Sequence, residues 1–288
     1  MPPVLNPAHQ AEALAARFPP LLVAAERVAA TVSMGVHGRR RAGTGETFWQ
    51  YRRYMPGDGA GGIDWRRSAA GDTLFIRETE WEAAQGVWLS TDQSASMNYR
   101  SRRSLPFKKD HACLLTSALA CLLVRGGERV TNLASGERPA TGRFALAQFA
   151  HGLETTQQTE PDLAVRRDLP RHATLVMASD FLHPLKDIAA TITAYARQGV
   201  RGHLVQILDP AEESFPFKGR VLFTAMGAND AVLIGRAEDV QDDYRAALIR
   251  HRDGLAQLAR SLGWSFVTHR TDTPPHLSLL GLVARMAG

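Results

Sequence analysis

From residue 86 onward the sequence predicts an α/β domain with a doubly wound, mostly parallel sheet and helices on both faces. Two observations carry this expectation. Short runs of strand-forming residues alternate with longer helical segments, the pattern of strand–helix–strand crossovers. Two of those runs, 87–91 and 173–179, lack the wet-face alternation of a half-exposed strand and read as strands covered on both faces. Composition allows such a core: of 288 residues, 44% are hydrophobic and 22% charged, which excludes wholesale disorder.

The elements follow in chain order. Residues 7–32 are helical by their Ala, Glu and Leu spacing, and Pro19-Pro20 splits the segment in two. Residues 47–54 are aromatic-rich and suit a strand; Pro56-Gly57-Asp58-Gly59, extended by Gly61 and Gly62, is a turn. Residues 74–81 alternate, with Ile76, Glu78 and Glu80 on one face and Phe75, Arg77 and Thr79 on the other, again a strand. Residues 87–91 form a buried strand ending at Asp92. Lys108–Arg125 is a helix apolar nearly all round, stopped by Gly126-Gly127. A strand over 129–134 and a short helix over 143–152 come next. The strand over 173–179 ends at Asp180, and Pro184 opens a helix that runs to Arg197. The strand over 203–208 ends at Asp209. Residues 220–224 and 231–234 flank Gly227-Ala228-Asn229-Asp230 as a hairpin. A long helix over 238–262 carries the stripe Val240, Tyr244, Leu248, Leu255, Leu258 and Leu262, with Gly263 as its cap. A strand over 264–269 and a helix over 275–286 close the sequence. The composition shifts near residues 83–86, so the chain reads as an N-terminal, partly β extension (1–82) and an α/β domain (83–288) with a hairpin insertion near 219–235.

Several function classes are set aside on composition. Cys113 and Cys121 are too few for a disulfide scaffold or a four-thiolate zinc site, and read as buried free thiols. The start of the chain shows no secretory signal, and the longest apolar-leaning stretch, 112–124, falls short of the roughly 20 residues of a spanning helix. A cytoplasmic protein without a membrane span is expected. No phosphate loop, zinc-protease motif or nucleophile elbow is present in the sequence, and no nucleophile with a nearby base can be assembled. No catalytic site, and no small-molecule substrate, is therefore read from these residues. The net charge of +5 concentrates in two stretches. Arg39-Arg40-Arg41, Arg52-Arg53 and Arg66-Arg67 form either a phosphate-binding surface or an ion-paired structural segment in which Trp65 anchors the loop in the core. Arg100, Arg102, Arg103, Lys108 and Lys109 follow Asp92 and suit the steering of an acidic partner.

Ligands of open α/β sheets sit outside the carboxyl ends of the strands. Here three strand ends present acids: Asp92, Asp180 and Asp209. The first continues as Asp92-Gln93-Ser94-Ala95-Ser96, a carboxylate followed by two hydroxyls at alternate positions. All are hard oxygen donors of the kind that suits Mg²⁺, whereas the soft ligands of zinc are missing from the string. The plain alternative is that this string only caps the following helix.

In this context the sequence resembles the von Willebrand factor A fold. Its metal-ion-dependent adhesion site uses an Asp-x-Ser-x-Ser string, a distant Thr and a later Asp. Asp92, Ser94 and Ser96 match the string, and Asp180 matches the later Asp. Thr141 is the choice for the Thr, with Thr155, Thr156 and Thr159 as rivals. A longer resemblance covers nearly the whole chain. The strings Arg40-Arg41-Ala42-Gly43-Thr44-Gly45-Glu46, Arg53-Tyr54-Met55-Pro56-Gly57-Asp58, Ile63-Asp64-Trp65-Arg66-Arg67-Ser68-Ala69, Arg77-Glu78-Thr79-Glu80 and Asp209-Pro210-Ala211-Glu212-Glu213 are similar to the bacterial family known as domain of unknown function 58. The chain departs from that family at Gly59-Ala60-Gly61-Gly62, where basic residues are usual.

The resemblance implies a von Willebrand factor A-like, non-catalytic protein-binding module. A Mg²⁺ (or Mn²⁺) ion would be held by Asp92, Ser94, Ser96, Thr141 and Asp180. It would grip an exposed Asp or Glu of a protein partner, with Arg100, Arg102, Arg103 and Asp209 as partner-binding residues. The same resemblance names a MoxR-type AAA ATPase, or its client, as the partner in a chaperone-like assembly. Two rival expectations are a metal-dependent hydrolase with Asp209 as base, and a basic nucleic-acid adaptor using residues 36–70; nucleic acid is not the expected partner.

Overall fold

The computed structural model describes residues 20–36, 47–55, 65–69, 73–80, 86–155, 167–224 and 231–286. Arg39, Arg40, Arg41, the turn over 56–62, Asp64, Thr156, Thr159 and the turn over 227–230 lie outside the described residues. The chain divides into two compact units, one of residues 1–38 with 86–288 and one of residues 39–85.

The first described helix, α1 (Pro20–Val36), starts at Pro20, whose missing N–H costs nothing in a first helical turn. Leu22, Ala25, Ala29 and Val32 recur at three and four residues and are all buried in the core of the larger unit. This helix therefore belongs with the α/β domain, unlike the division at residue 82 expected from composition.

The smaller unit is built on an antiparallel pair, β1 (Thr47–Arg53) with β2 (Phe75–Glu80), and a single helical turn, α2 (Trp65–Ser68). The register shifts between Phe48 and Gln50, an irregularity that bends the ribbon. Ser68 Oγ accepts the Phe75 N–H at 2.9 Å, tying the turn to the second strand. Trp65 is exposed rather than an anchor in a core.

The larger unit runs β3 (Gly86–Thr91), α3 (Lys108–Arg125), β4 (Arg129–Asn132), α4 (Gly142–Thr155), β5 (Thr174–Ser179), α5 (Leu185–Arg197), β6 (Arg201–Leu208) and α6 (Pro210–Ser214). It continues with β7 (Val221–Thr224), β8 (Ala231–Ile234), α7 (Gln241–Ser261), β9 (Ser265–Arg270) and α8 (Pro275–Met286). Five strands pair in the order β4-β3-β5-β6-β9, and every pairing is parallel. β7 and β8 form a separate antiparallel hairpin, as the sequence predicts.

Alternate residues of each strand feed two apolar layers. On one face Val87, Leu89, Val176, Ala178, Val205 and Ile207 pack under α3, α4 and α8, with α1 in the same core. On the other, Leu175, Met177 and Leu204 meet Ile188 and Ile192 of α5, Leu255 and Ala259 of α7, and Trp264. This is a parallel sheet flanked by helices on both faces. The predicted strand over 129–134 ends two residues early, because Asn132 accepts the Ala134 N–H and turns the chain into a 3₁₀ turn at Leu133–Ser135. The turn of helix at Pro210–Ser214 is an addition to the expected elements.

Candidate functional site

The chain leaves β3 toward β4 on one side and later returns to β5 on the other. Strand order therefore reverses between β3 and β5, and open α/β sheets bind ligands in the crevice at such a point, beyond the carboxyl ends of the strands. Asp92 and Asp180 stand there, one at the end of each strand. The Asp92 N–H donates to Ala178 O at 2.9 Å, so the two strand ends are adjacent.

Asp92 is 1% exposed. Its Oδ1 accepts the Ser94 N–H at 2.8 Å and its Oδ2 accepts the Ser179 hydroxyl at 2.6 Å. Ser94 and Ser96 hydroxyls lie 3.2 Å apart. Two adjacent oxygens on an octahedral Mg²⁺ at 2.0–2.1 Å stand about 3 Å apart, so this pair fits such an edge. Ser96 also hydrogen-bonds Asp180. Gln93, the residue between Asp92 and Ser94, donates from Nε2 to Leu153 O at 2.9 Å, which fastens the loop to the last turns of α4.

Asp180 is fully buried, and a lysine is already seated on it. Lys108 Nζ donates to Asp180 Oδ2 at 3.0 Å and to Glu212 Oε1 at 2.6 Å while being 1% exposed. Burial alone would pull the lysine pKa down, but Asp180 and then Glu212 more than offset it and hold it above the ordinary value. Burial would raise Asp180, yet Lys108 and the donated Leu182 N–H hold its carboxyl below the usual range. For Glu212 burial wins over Lys108 and pushes the carboxyl up. The same surroundings push the Tyr99 hydroxyl up to about 12, through burial first and then Asp209 and Glu212.

Asp209 is also fully buried, and its carboxylate is spent on backbone: Oδ1 accepts the Ala211 N–H and Oδ2 the Ser101 N–H. With Glu212 returning a bond to the Asp209 N–H, it closes a capping box on α6. Asp209 is therefore a structural cap and not an open partner-binding acid. Arg100, Arg102 and Arg103 are exposed in the loop between Tyr99 and Lys108, with the Arg100 guanidinium 4.3 Å from the centre of the Phe107 ring. Lys108, expected to steer a partner from that basic stretch, is instead buried as the charge at the centre of the site.

Thr141 is a correction. Ala140 forms an antiparallel bridge to Val130, and Val130 pairs with Val87 at the start of β3. Thr141 thus lies at the amino end of the sheet, about 16 Å or more from Asp92 at roughly 3.3 Å per strand residue. Thr155 ends α4, whose last turns touch the Asp92 loop, but its hydroxyl donates to His151 O in an exposed setting. The crevice therefore gathers Asp92, Ser94, Ser96 and Asp180 and leaves Thr141 out.

The backbone after β5 is strained in the same place. Phe181 is buried with φ of 49°, a left-handed conformation that costs a bulky residue on the order of 1–3 kcal/mol. Its N–H donates to Ser179 Oγ at 3.2 Å, and its carbonyl accepts the His251 ring N–H at 2.6 Å. These bonds fix the direction in which Asp180 leaves the strand.

Among the described residues, no three His, Cys, Asp or Glu side chains converge to hold a metal ion by themselves. An ion in this crevice would lean on the serine hydroxyls and on water. No described helix is long and apolar enough to cross a membrane.

Comparison with known proteins gives relatives without assigned roles. An uncharacterized protein of Mycobacterium bovis and uncharacterized proteins of two Mycobacterium tuberculosis strains are each 30% identical over 251 residues, spanning 80% of this chain and 76% of theirs. The crystal structure of the conserved hypothetical protein BatB from Bacteroides thetaiotaomicron matches with a TM-score of 0.41 at 12% identity, over 71% of this chain and 99% of that one. The sequence profile described as protein of unknown function DUF58 matches residues 50–254, a span from β1 into α7, and the chain belongs to that family.

Proposed function

We propose that this protein is a non-catalytic binding module that grips an acidic group of a partner protein through a Mg²⁺-class ion. Asp92, Ser94, Ser96 and Asp180 would hold the ion, which would supply a positive charge with an open coordination position. The observation that carries this reading is the convergence of those four oxygen-bearing side chains in the crevice between β3 and β5. Charge supports it. Asp92 and Asp180 are buried and Glu212 nearly so, and among the described residues Lys108 is the one buried ammonium facing them. A divalent cation would balance the carboxylates that Lys108 alone does not pair. The family resemblance points to a MoxR-type AAA ATPase or its client as the partner, in the cytoplasm.

The test is calorimetric titration of Mg²⁺ and Mn²⁺ into the wild type, Asp92→Ala and Ser96→Ala. Saturable binding in the wild type that is lost in the first variant and weakened in the second supports the site. Absence of binding in the wild type, or equal binding in all three, overturns it.

Lys108 favours a second reading. Its ammonium already sits on Asp180, so the cation of the clamp would be the lysine itself and the Asp92 loop a hydrogen-bonded support. Capture of an acidic peptide that persists in chelator and is lost in Lys108→Met distinguishes this reading from the first.

A further inference from the structure

A cavity of about 700 Å³ opens beside the crevice, within the range of sites that enclose a ligand. Ser96, Lys108 and Glu212 form its polar end, and Phe215, Phe223, Val232 and Ile234 contribute apolar wall. The aromatic wall is packed: Phe215 stands 5.6 Å from Phe223 and 4.7 Å from Tyr244, centre to centre. Ser96 and Lys108 thus belong both to the charged crevice and to an apolar chamber.

We infer that this cavity is a second subsite for the same partner. It receives a large apolar side chain, of the Phe, Leu or Met kind, that neighbours the gripped acidic residue in an extended peptide segment. The inference rests on the function proposed above, because the acid is what brings the segment to Ser96. Spacing supports it: neighbouring residues of an extended chain are about 3.3 Å apart, so an acid held at Ser96 places side chains one or two positions away at the cavity mouth. Charge sets the direction. The loop from Tyr99 to Lys108 carries exposed Arg100, Arg102 and Arg103, which complement an acidic flank, while α7 adds exposed Asp243 to the cavity wall and disfavours an acid there.

The experiment uses the full chain and a library of twelve-residue peptides with one aspartate fixed at the centre, selected in Mg²⁺ and sequenced. Enrichment of Phe, Leu, Met or Trp within two positions of the aspartate is expected. It should vanish in Val232→Trp/Ile234→Trp, which fills the cavity from two positions of β8 on the hairpin face that carries Phe223. For one enriched peptide, fluorescence anisotropy should show at least a tenfold weaker affinity for the plugged variant. The version of that peptide with alanine at the apolar position should bind both proteins alike. Capture without an apolar preference, or a preference that the plug leaves unchanged, overturns the subsite while the metal clamp stands. An apolar preference that the plug abolishes but chelator and Asp92→Ala leave intact overturns the clamp and keeps the subsite. Capture of no peptide overturns both.

Discussion

At the scale of single residues, Lys108 governs the site. Replacing it by Met leaves Asp180 and Glu212 buried without their shared ammonium, and breaking a buried pair from one side costs about 3–5 kcal/mol. Lys108→Met should therefore melt well below the wild type, and under the metal reading Mg²⁺ should raise its melting temperature more than that of the wild type. Thermal unfolding with and without the ion measures both. Ser179→Ala removes the 2.6 Å hydroxyl bond to Asp92 and leaves a buried carboxylate oxygen short of a donor, for roughly 1–3 kcal/mol of lost stability by urea denaturation. The sequence reveals Asp92, Ser94, Ser96 and Asp180 because acids and hydroxyls that follow a buried strand must emerge at its carboxyl end. It misleads at Thr141, since spacing along a chain does not tell which end of the sheet a loop reaches; here a single bridge at Ala140 decides it. Lys108 has the weakest signal, because the burial of a charge depends on partners 72 and 104 residues away. Its one trace is compositional: a lysine in a chain whose basic residues are nearly all arginine. Glu212 carries a clearer trace, since Asp209-Pro210-Ala211-Glu212 has the spacing of the capping box that the structure forms.

At the scale of elements, periodicity locates most helices and strands to within a few residues, and Lys108–Arg125 and Pro275–Met286 coincide with the sequence reading. What periodicity does not supply is the partner of each face. The apolar stripe of α1 reads as a helix, but only packing shows that it covers α3 and α8. Removing residues 1–38 should expose that surface, lower the melting temperature and promote association, seen as concentration-dependent species in analytical ultracentrifugation. β6 carries a close approach of another kind. A side chain at Gly202 would meet the Trp264 ring at 1.9 Å, and that ring is held by its N–H bond to Val200 O. Gly202→Ala should cost about 1–3 kcal/mol through overpacking, with a shift of tryptophan emission reporting the displaced indole.

At the scale of the whole molecule, three buried histidines link stability to pH. Burial lowers the pKa of His203 to about 4, and burial together with neighbouring His111 lowers His269 to about 4; His111 is lowered by burial as well. His111 and His269 share a 2.8 Å contact between α3 and β9, and His269 reaches Ser278 of α8. Unfolded histidines take up protons near pH 6.5, whereas His203 and His269 resist until about 4, so the unfolded chain binds more protons within that window. Their contribution is full above about pH 6.5 and is lost as pH falls toward 4, by roughly 3 kcal/mol at most for each fully titrated group. Urea midpoints measured from pH 7.5 to 4.5 should fall, and His203→Gln should flatten the slope. The discontinuous large unit also has a consequence for synthesis. α1 leaves the ribosome before residues 39–85 and before every surface it covers, and one of those surfaces is α8, the last helix described. Its apolar stripe must wait through most of translation for α8. A nascent chain halted short of α8 would then display the same greasy surface to chaperones and proteases, so the docking of α8 on α1 acts as a check that the chain has been made through to α8.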